Sequence, residues 1–457
     1  MTNRTRMAAA AAAALSMYLP LRAAAETDFT FYGRLNLSVD VGSQGLAGVV
    51  CNNPNLCTPG SRAQGNLRWI PDVASNLSRF GIRGHHDLLD GVQAVFQLEA
   101  EVAVAATPGV KGNGNNDTIN PGNNAINGAI ASRNSFVGIA TPLGALKIGK
   151  SDAPYKLSTA DFDFLADTPG DYNGIVGNTG GDNRAEFDTR LSHSVWYESP
   201  NVYGFRLGAQ WSPGQERFAD NEGFPIGETV CNGGNSGPCE DGSWGTVYSF
   251  AATWENFGFK GVAAYELHKR VNRTGDAGAT TPAGVSTVGV ADEWAWKFGA
   301  KYTLAATGTT VAGLFEDLHR DDVGTFNERQ RSGFYFSALQ KVTPNDDVMA
   351  AWAHANSTPG DPTIGPISNS ADMVTGGYRH WFDRKTTVYL AYARMMNGDG
   401  AHYALGPSGH GVTWDCKDGS GPATAGVAPG IGLIGNGTQC FTGTNIQAFS
   451  AGMTYDF

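Results

Sequence analysis

Basic side chains set among apolar ones, and one long acidic stretch, are the residues of this chain best placed to act on other molecules. Arg34, Arg79, Arg133 and Arg190 each stand beside a residue of the opposite alternation phase: Leu35, Phe80, Asn134 and Leu191. Arg83 shares the phase of Arg79. Residues 151–187 carry Asp152, Asp161, Asp163, Asp167, Asp171, Asp182 and Glu186 against only Lys156 and Arg184. Taken alone, that stretch reads as a solvated acidic loop. The chemistry open to such groups is electrostatic, orienting water and polar molecules without proton transfer. Covalent chemistry has less support. The densest titratable run, Glu316-Asp317-Leu318-His319-Arg320-Asp321-Asp322, holds no nucleophile, and Gly-x-Ser-x-Gly is missing from the sequence. His85-His86, His193, His268, His354 and His380 lack metal-ligand spacing. No catalytic residue, metal or cofactor is expected.

The elements that must carry these residues are strands. Arg4 and Arg6 precede an apolar run from Met7 to Leu21 and then Ala23-Ala24-Ala25, the pattern of an export signal cleaved after Ala25. A membrane anchor is the competing reading, but the run is short and mostly alanine. Removal leaves Glu26 to Phe457 as one domain, and losing Arg4, Arg6 and Arg22 takes the formal charge from −11 to −14. No basic run suggests a nucleic-acid partner. Beyond residue 25 no run of eighteen apolar residues could span a membrane as a helix. Instead, segments of about ten residues alternate in character, which is strand periodicity with two different faces. In the first segment Phe29, Phe31, Leu35, Leu37, Val39 and Val41 share one phase; Thr30, Tyr32, Arg34, Asn36, Ser38 and Asp40 share the other.

Sixteen segments follow this rule: 28–42, 75–84, 92–104, 132–140, 144–150, 188–198, 204–213, 245–255, 258–268, 292–303, 309–319, 331–343, 347–356, 371–382, 385–396 and 445–457. Short turns alternate with long polar loops, so the expected fold is all-β: a sixteen-stranded antiparallel transmembrane β-barrel with short periplasmic turns and long extracellular loops. A soluble sandwich or propeller also alternates, but long loops alternate with short turns throughout, where a propeller would show a blade-length repeat that is not found. Cysteines pair locally: Cys51 with Cys57, Cys231 with Cys239, Cys416 with Cys440. In an exported chain these read as three disulfides, each within one long loop. Aromatics such as Tyr203, Phe257, Trp381, Phe382 and Tyr389 gather beside the short turns, as a membrane boundary would favour.

Several motifs carry a family resemblance. Ser78-Arg79-Phe80-Gly81-Ile82-Arg83-Gly84 is followed by Asp87 and GVQAVFQLEAE from Gly91 to Glu101. Ser132 to Ser151 reads SRNSFVGIATPLGALKIGKS; Tyr32-Gly33-Arg34 and Tyr455-Asp456-Phe457 flank the whole. Together they resemble the general, trimeric outer-membrane porins of Gram-negative bacteria over nearly all of residues 26–457. The resemblance implies a homotrimer in the outer membrane, among lipid and lipopolysaccharide, with recognition of Phe457 by the barrel-assembly machinery. It implies a water-filled channel for small hydrophilic solutes and ions, and a third loop folded into the lumen. Asp161, Asp163, Asp167 and Asp171 would then face a basic wall of Arg34, Arg79, Arg83, Arg133 and Arg190, with Phe162, Phe164 and Leu165 packing the loop on the barrel. A proline-glutamate-phenylalanine-glycine motif known from that family's third loop is not present here. A substrate-specific channel is the alternative reading.

Overall fold

The computed structural model describes residues 27–45, 66–102, 104–105, 131–178, 187–213, 246–272, 290–320, 330–357, 370–398, 401, 403–405, 433–434, 438–439 and 445–457. Residues 1–25 and all six cysteines lie outside the described residues.

Sixteen strands close into a barrel, each antiparallel to both neighbours. They are β1 (Thr27–Gly45), β2 (in two segments, Asn66–Ser75 and Arg79–Leu89), β3 (Val92–Glu101), β4 (Ser135–Thr141), β5 (Gly144–Asp152), β6 (Arg190–Glu198), β7 (Phe205–Ser212), β8 (Thr246–Asn256), β9 (Phe259–Asn272), β10 (Val290–Leu304), β11 (Thr309–Arg320), β12 (Arg331–Thr343), β13 (Asp346–Ala355), β14 (Ala371–Trp381), β15 (Thr386–Asn397) and β16 (Asn445–Asp456). β1 closes the sheet against β16, from Arg34 opposite Asp456 to Gln44 opposite Ile446.

The second strand differs from the sequence expectation of 75–84. Its first segment, Asn66–Ser75, lies in what reads as loop and pairs with the loop end of β1; Arg79–Leu89 pairs with the turn end and takes in His85 and His86. Between them Leu77 has φ +50° and breaks the ladder. Polar neighbours repair the gap: the Asn76 amide donates to the Asn36 carbonyl (2.8 Å), and the Asn36 amide to Ser78 Oγ (3.0 Å). That exchange is why the pairing survives a break that hides the strand from a pattern search.

Burial is inverted relative to a soluble protein. Phe29, Phe31, Leu35, Val39, Phe80, Ile82, Val137 and Ile148 are exposed, while Asn36, Ser38, Asp40, Glu99, Gln210, Glu266 and Lys297 are buried. Apolar side chains turned outward and polar ones turned in suit a sheet with hydrocarbon outside and water within. Tyr203, Phe257 and Phe382 are exposed at the turn end; Tyr389 turns inward, and Trp381 donates to Asp347 Oδ2 (3.0 Å).

At the seam, the Gly33 amide donates to the Phe457 carbonyl (3.1 Å) and the Phe457 amide to the Gly33 carbonyl (3.0 Å). The Phe457 ring covers Gly33 so closely that a Cβ there would run into it. Gly33→Val is therefore expected to cost about 1–3 kcal/mol by overpacking. A lower temperature for conversion of the folded band in a heat-modifiability gel checks this; an unchanged transition would show that the ring has room to move.

Candidate functional site

The segment after β5 does not run over the surface. It turns into α1 (Pro154–Thr159), whose proline sits in the first turn where no amide partner is needed. Two single 3-10 turns, Ala160–Phe162 and Tyr172–Gly174, follow. This third loop touches widely separated strands. The Tyr155 amide donates to Ser249 Oγ of β8 (3.0 Å), Ser337 Oγ of β12 to the Phe162 carbonyl (2.7 Å), and Asn36 Nδ2 of β1 to the Asp167 carbonyl (3.3 Å). A segment bonded to β1, β8 and β12 crosses the lumen. Phe162 and Leu165 are buried against the barrel and Phe164 is half-buried, so the apolar part of the loop is its seat.

The seat carries buried charge. Lys297 of β10 meets Asp188 at the root of the loop, and both are fully buried. Asp188 also accepts from Tyr172 Oη (2.9 Å) and Asn173 Nδ2 (2.9 Å), while Lys297 Nζ lies 4.1 Å from the Tyr155 ring centroid. Nearby, Glu316 of β11 accepts from the Gly177 amide (3.0 and 3.1 Å) and pairs with Arg331 of β12 (3.1 Å). Neither Lys297, Asp188 nor Arg331 figures among the residues singled out from sequence; Glu316 appears there only in the titratable run.

The tip is different. Asp167, at φ +59°, has its carboxylate 3.5 Å from Arg79 Nη1 and 3.9 Å from Arg34 Nη1. These groups are partly open to the lumen, with side-chain exposures of 17%, 22% and 37% respectively. Arg83 lies 4.8 Å from the Tyr32 ring centroid, on the same inward face. Arg133 is held by Glu99 (2.8 Å) and Glu101 (3.2 Å), and Arg190 by Asp152 (3.1 Å) and Asn134 Oδ1 (2.7 Å). Arg34 itself makes a two-point bond to Asp456, at 2.6 and 2.9 Å. The basic wall is thus interleaved with acids from neighbouring strands. Glu99 and Glu101 share the phase of Gln97, but phase alone does not say which strands meet.

The four loop aspartates divide. Asp167 reaches Arg34 and Arg79. Asp161 faces the other wall, bonding Lys260 of β9 (2.5 Å) and Lys301 of β10, two lysines directly opposite in register. Asp163 is buried and accepts from the Leu165 and Tyr172 amides (both 2.9 Å); Asp171 caps the turn by accepting from the Asn173 amide (2.9 Å) and the Asp167 amide (3.2 Å). These two shape the loop, because short acidic side chains satisfy turn amides well. Burial, and next the charge of Asp171, push the Asp163 carboxyl well above the usual range. At Asp161 burial acts upward, but hydrogen bonds from Lys260 and Lys301 outweigh it and hold the carboxyl below its ordinary value.

The sign for Asp161 follows from linkage. A lowered folded-state pKa stabilises the loop above the unfolded value of about 3.9, and that contribution fades as pH falls through the folded pKa. Acid should therefore loosen this contact. A change in lumenal access below about pH 4 that is absent in Asp161→Asn is the expected result; identical acid profiles for the two proteins would remove the contact's role.

Beside the loop tip an open recess is lined by Arg34, Asp167, Arg379, Trp381, Thr454 and Asp456, with Arg379 tied to Asp347 (2.9 Å). Carboxylates and guanidinium groups here hold one another across water-accessible space.

Comparison with known proteins bears on the family and the fold. The Gram-negative porin family matches residues 8–401. The major outer membrane protein P.IB of Neisseria gonorrhoeae is 28% identical over 163 residues, 36% of this chain and 40% of that protein. P.IA of Neisseria meningitidis serogroup C is 27% identical over 263 residues, 56% of this chain and 59% of that protein. The chain thus spans between two-fifths and three-fifths of the length of these curated relatives. Among solved structures, the anion-selective porin from Comamonas acidovorans superimposes with a TM-score of 0.62 at 17% identity, covering 94% of this chain and 100% of that one, a likeness of fold.

Proposed function

Because the chain belongs to the Gram-negative porin family, we propose that this outer-membrane barrel is a water-filled channel through which small hydrophilic solutes and ions diffuse passively. The observation that carries the reading is the inward third loop, whose Asp167 stands 3.5 Å from Arg79 across lumenal space. Opposed charges set a field transverse to the path. At an effective dielectric of about 20, unit charges ~4 Å apart interact by ~4 kcal/mol, and physiological salt screens over about 8 Å. A solute passing within about that screening distance feels both signs of charge. The field orders water and polar solutes and disfavours apolar ones, and weak binding lets a solute leave again.

The charged groups serve as one another's partners, so we read the protein as a channel and not an enzyme. In this reading the arginine wall is Arg34, Arg79 and Arg83, with Arg133 and Arg190 neutralised within it. The short turns face the periplasm. Residues 1–25 are removed on export, and the cysteine pairs close loops outside. The protein works as a homotrimer amid lipid and lipopolysaccharide, and Phe457 presents the barrel for assembly.

Planar-bilayer recording of the purified, folded protein tests the function. Stepwise, ohmic conductance is expected, with a reversal potential in a salt gradient that responds to charge changes at the tip. Folded protein that inserts without conducting would end the proposal.

A further inference from the structure

One stretch of the inner wall does not suit a water-filled lumen. Inward positions on β13, β14 and β15 are apolar: Ala355, Ala371, Met373, Ala393 and Met395 are all buried. Loop three covers part of this patch with Tyr172, Ile175 and Val176. The rest is covered from the segment after β15. Ala401, Tyr403, Ala404 and Leu405 are at most 2% exposed and belong to the same apolar cluster.

The turn inward is built locally. Asn397 Nδ2 donates to the Tyr403 carbonyl (2.8 Å), and the Tyr403 amide donates to Asn397 Oδ1 (2.9 Å). The two loops also meet directly. A Cβ on Gly174 would stand 3.1 Å from the Ala404 carbonyl oxygen and 3.3 Å from Met373 Sδ, so glycine is what lets them close. The Arg331 guanidinium lies 5.9 Å from the Tyr403 ring centroid, while its nitrogens bond the Ile175 and Asn178 carbonyls of loop three.

We infer that residues 401 and 403–405 form a second lumenal element, which together with the third loop sets the size limit of the channel. The inference rests on the channel reading above. Apolar wall exposed to water costs about 25 cal/mol per Å², so the seat favours occupancy. The inserted segment occupies lumenal cross-section beside loop three, against which it packs.

Leu405→Asp places a charge in the dry seat and should expel the segment; Leu405→Met, close in volume, should not. Both are compared with wild type for folded mobility, single-channel conductance and the exclusion limit for graded polyethylene glycols. Conductance should rise roughly twofold for Leu405→Asp, with a larger exclusion limit, as expected when lumen area sets flow. Folded Leu405→Asp channels with wild-type conductance and limit would overturn the inference. Chymotrypsin supplies a readout independent of conduction. Folded wild type should resist cleavage at Tyr403 while Leu405→Asp is cut; cleavage of wild type there overturns the inference even if Leu405→Asp fails to fold. Wild type that is protected but does not conduct would sink the channel reading and leave the seating intact.

Discussion

Lys297→Met should release the third loop from the barrel wall and raise single-channel conductance several-fold while the barrel stays folded. Lys297 and Asp188 are both fully buried at the loop's root. Removing one partner of a buried ion pair leaves the other uncompensated, at about 3–5 kcal/mol. The barrel does not depend on that pair, because its backbone ladder is continuous around the circle. The loop does, because Asp188 also holds Tyr172 and Asn173. Methionine keeps the stem volume, so the loss is one of charge. Adding Asp188→Asn should restore part of the wild-type behaviour, since the orphaned carboxylate is then gone. Conductance, its noise, and protease access to residues 153–178 measure the outcome. A wild-type channel from Lys297→Met would mean that apolar packing alone seats the loop.

The second large effect is on selectivity. Asp167→Asn removes the acid facing Arg34 and Arg79 and should move the reversal potential toward anions. Arg79→Gln, and more so Arg34→Gln with Arg79→Gln, should move it toward cations. These groups are partly solvated, so each change is worth about 0.5–1 kcal/mol after screening, roughly a two- to fivefold shift in permeability ratio. Neutralising Arg34, Arg133 or Arg190 alone should do less than neutralising Arg79, because Asp456, Glu99, Glu101 and Asp152 already balance them within the wall. Equal shifts from all four arginines would contradict this division.

The fold was largely legible in the sequence, because the alternation of Phe29 to Val41 and its counterparts is a direct record of two solvents on two faces. The exception is Asn66–Ser75. Pro71 interrupts its alternation, Leu77 breaks the ladder after it, and the repair through Asn36 involves a different strand. The site was legible in part. Strand arginines can be assigned to the inner face by the cost of placing them in lipid, but their partners come from neighbouring strands whose register no local pattern states. Asp163 and Asp171 look identical to Asp167 in sequence, and only the turn geometry separates carboxylates that cap amides from one that projects. Lys297 stands in an alternating strand like any other lumenal lysine. Its special role appears only when the root of the third loop arrives against it.

The same kinds of ion pair occur in two solvents within this molecule. Asp167 with Arg34 and Arg79 is wet; Lys297 with Asp188 is dry. At about 1 M ionic strength the Debye length shrinks to ~3 Å, which quenches the wet contact and leaves the dry one nearly untouched. Concentrated brine should therefore erase the discrimination between cations and anions without altering which sugars can pass.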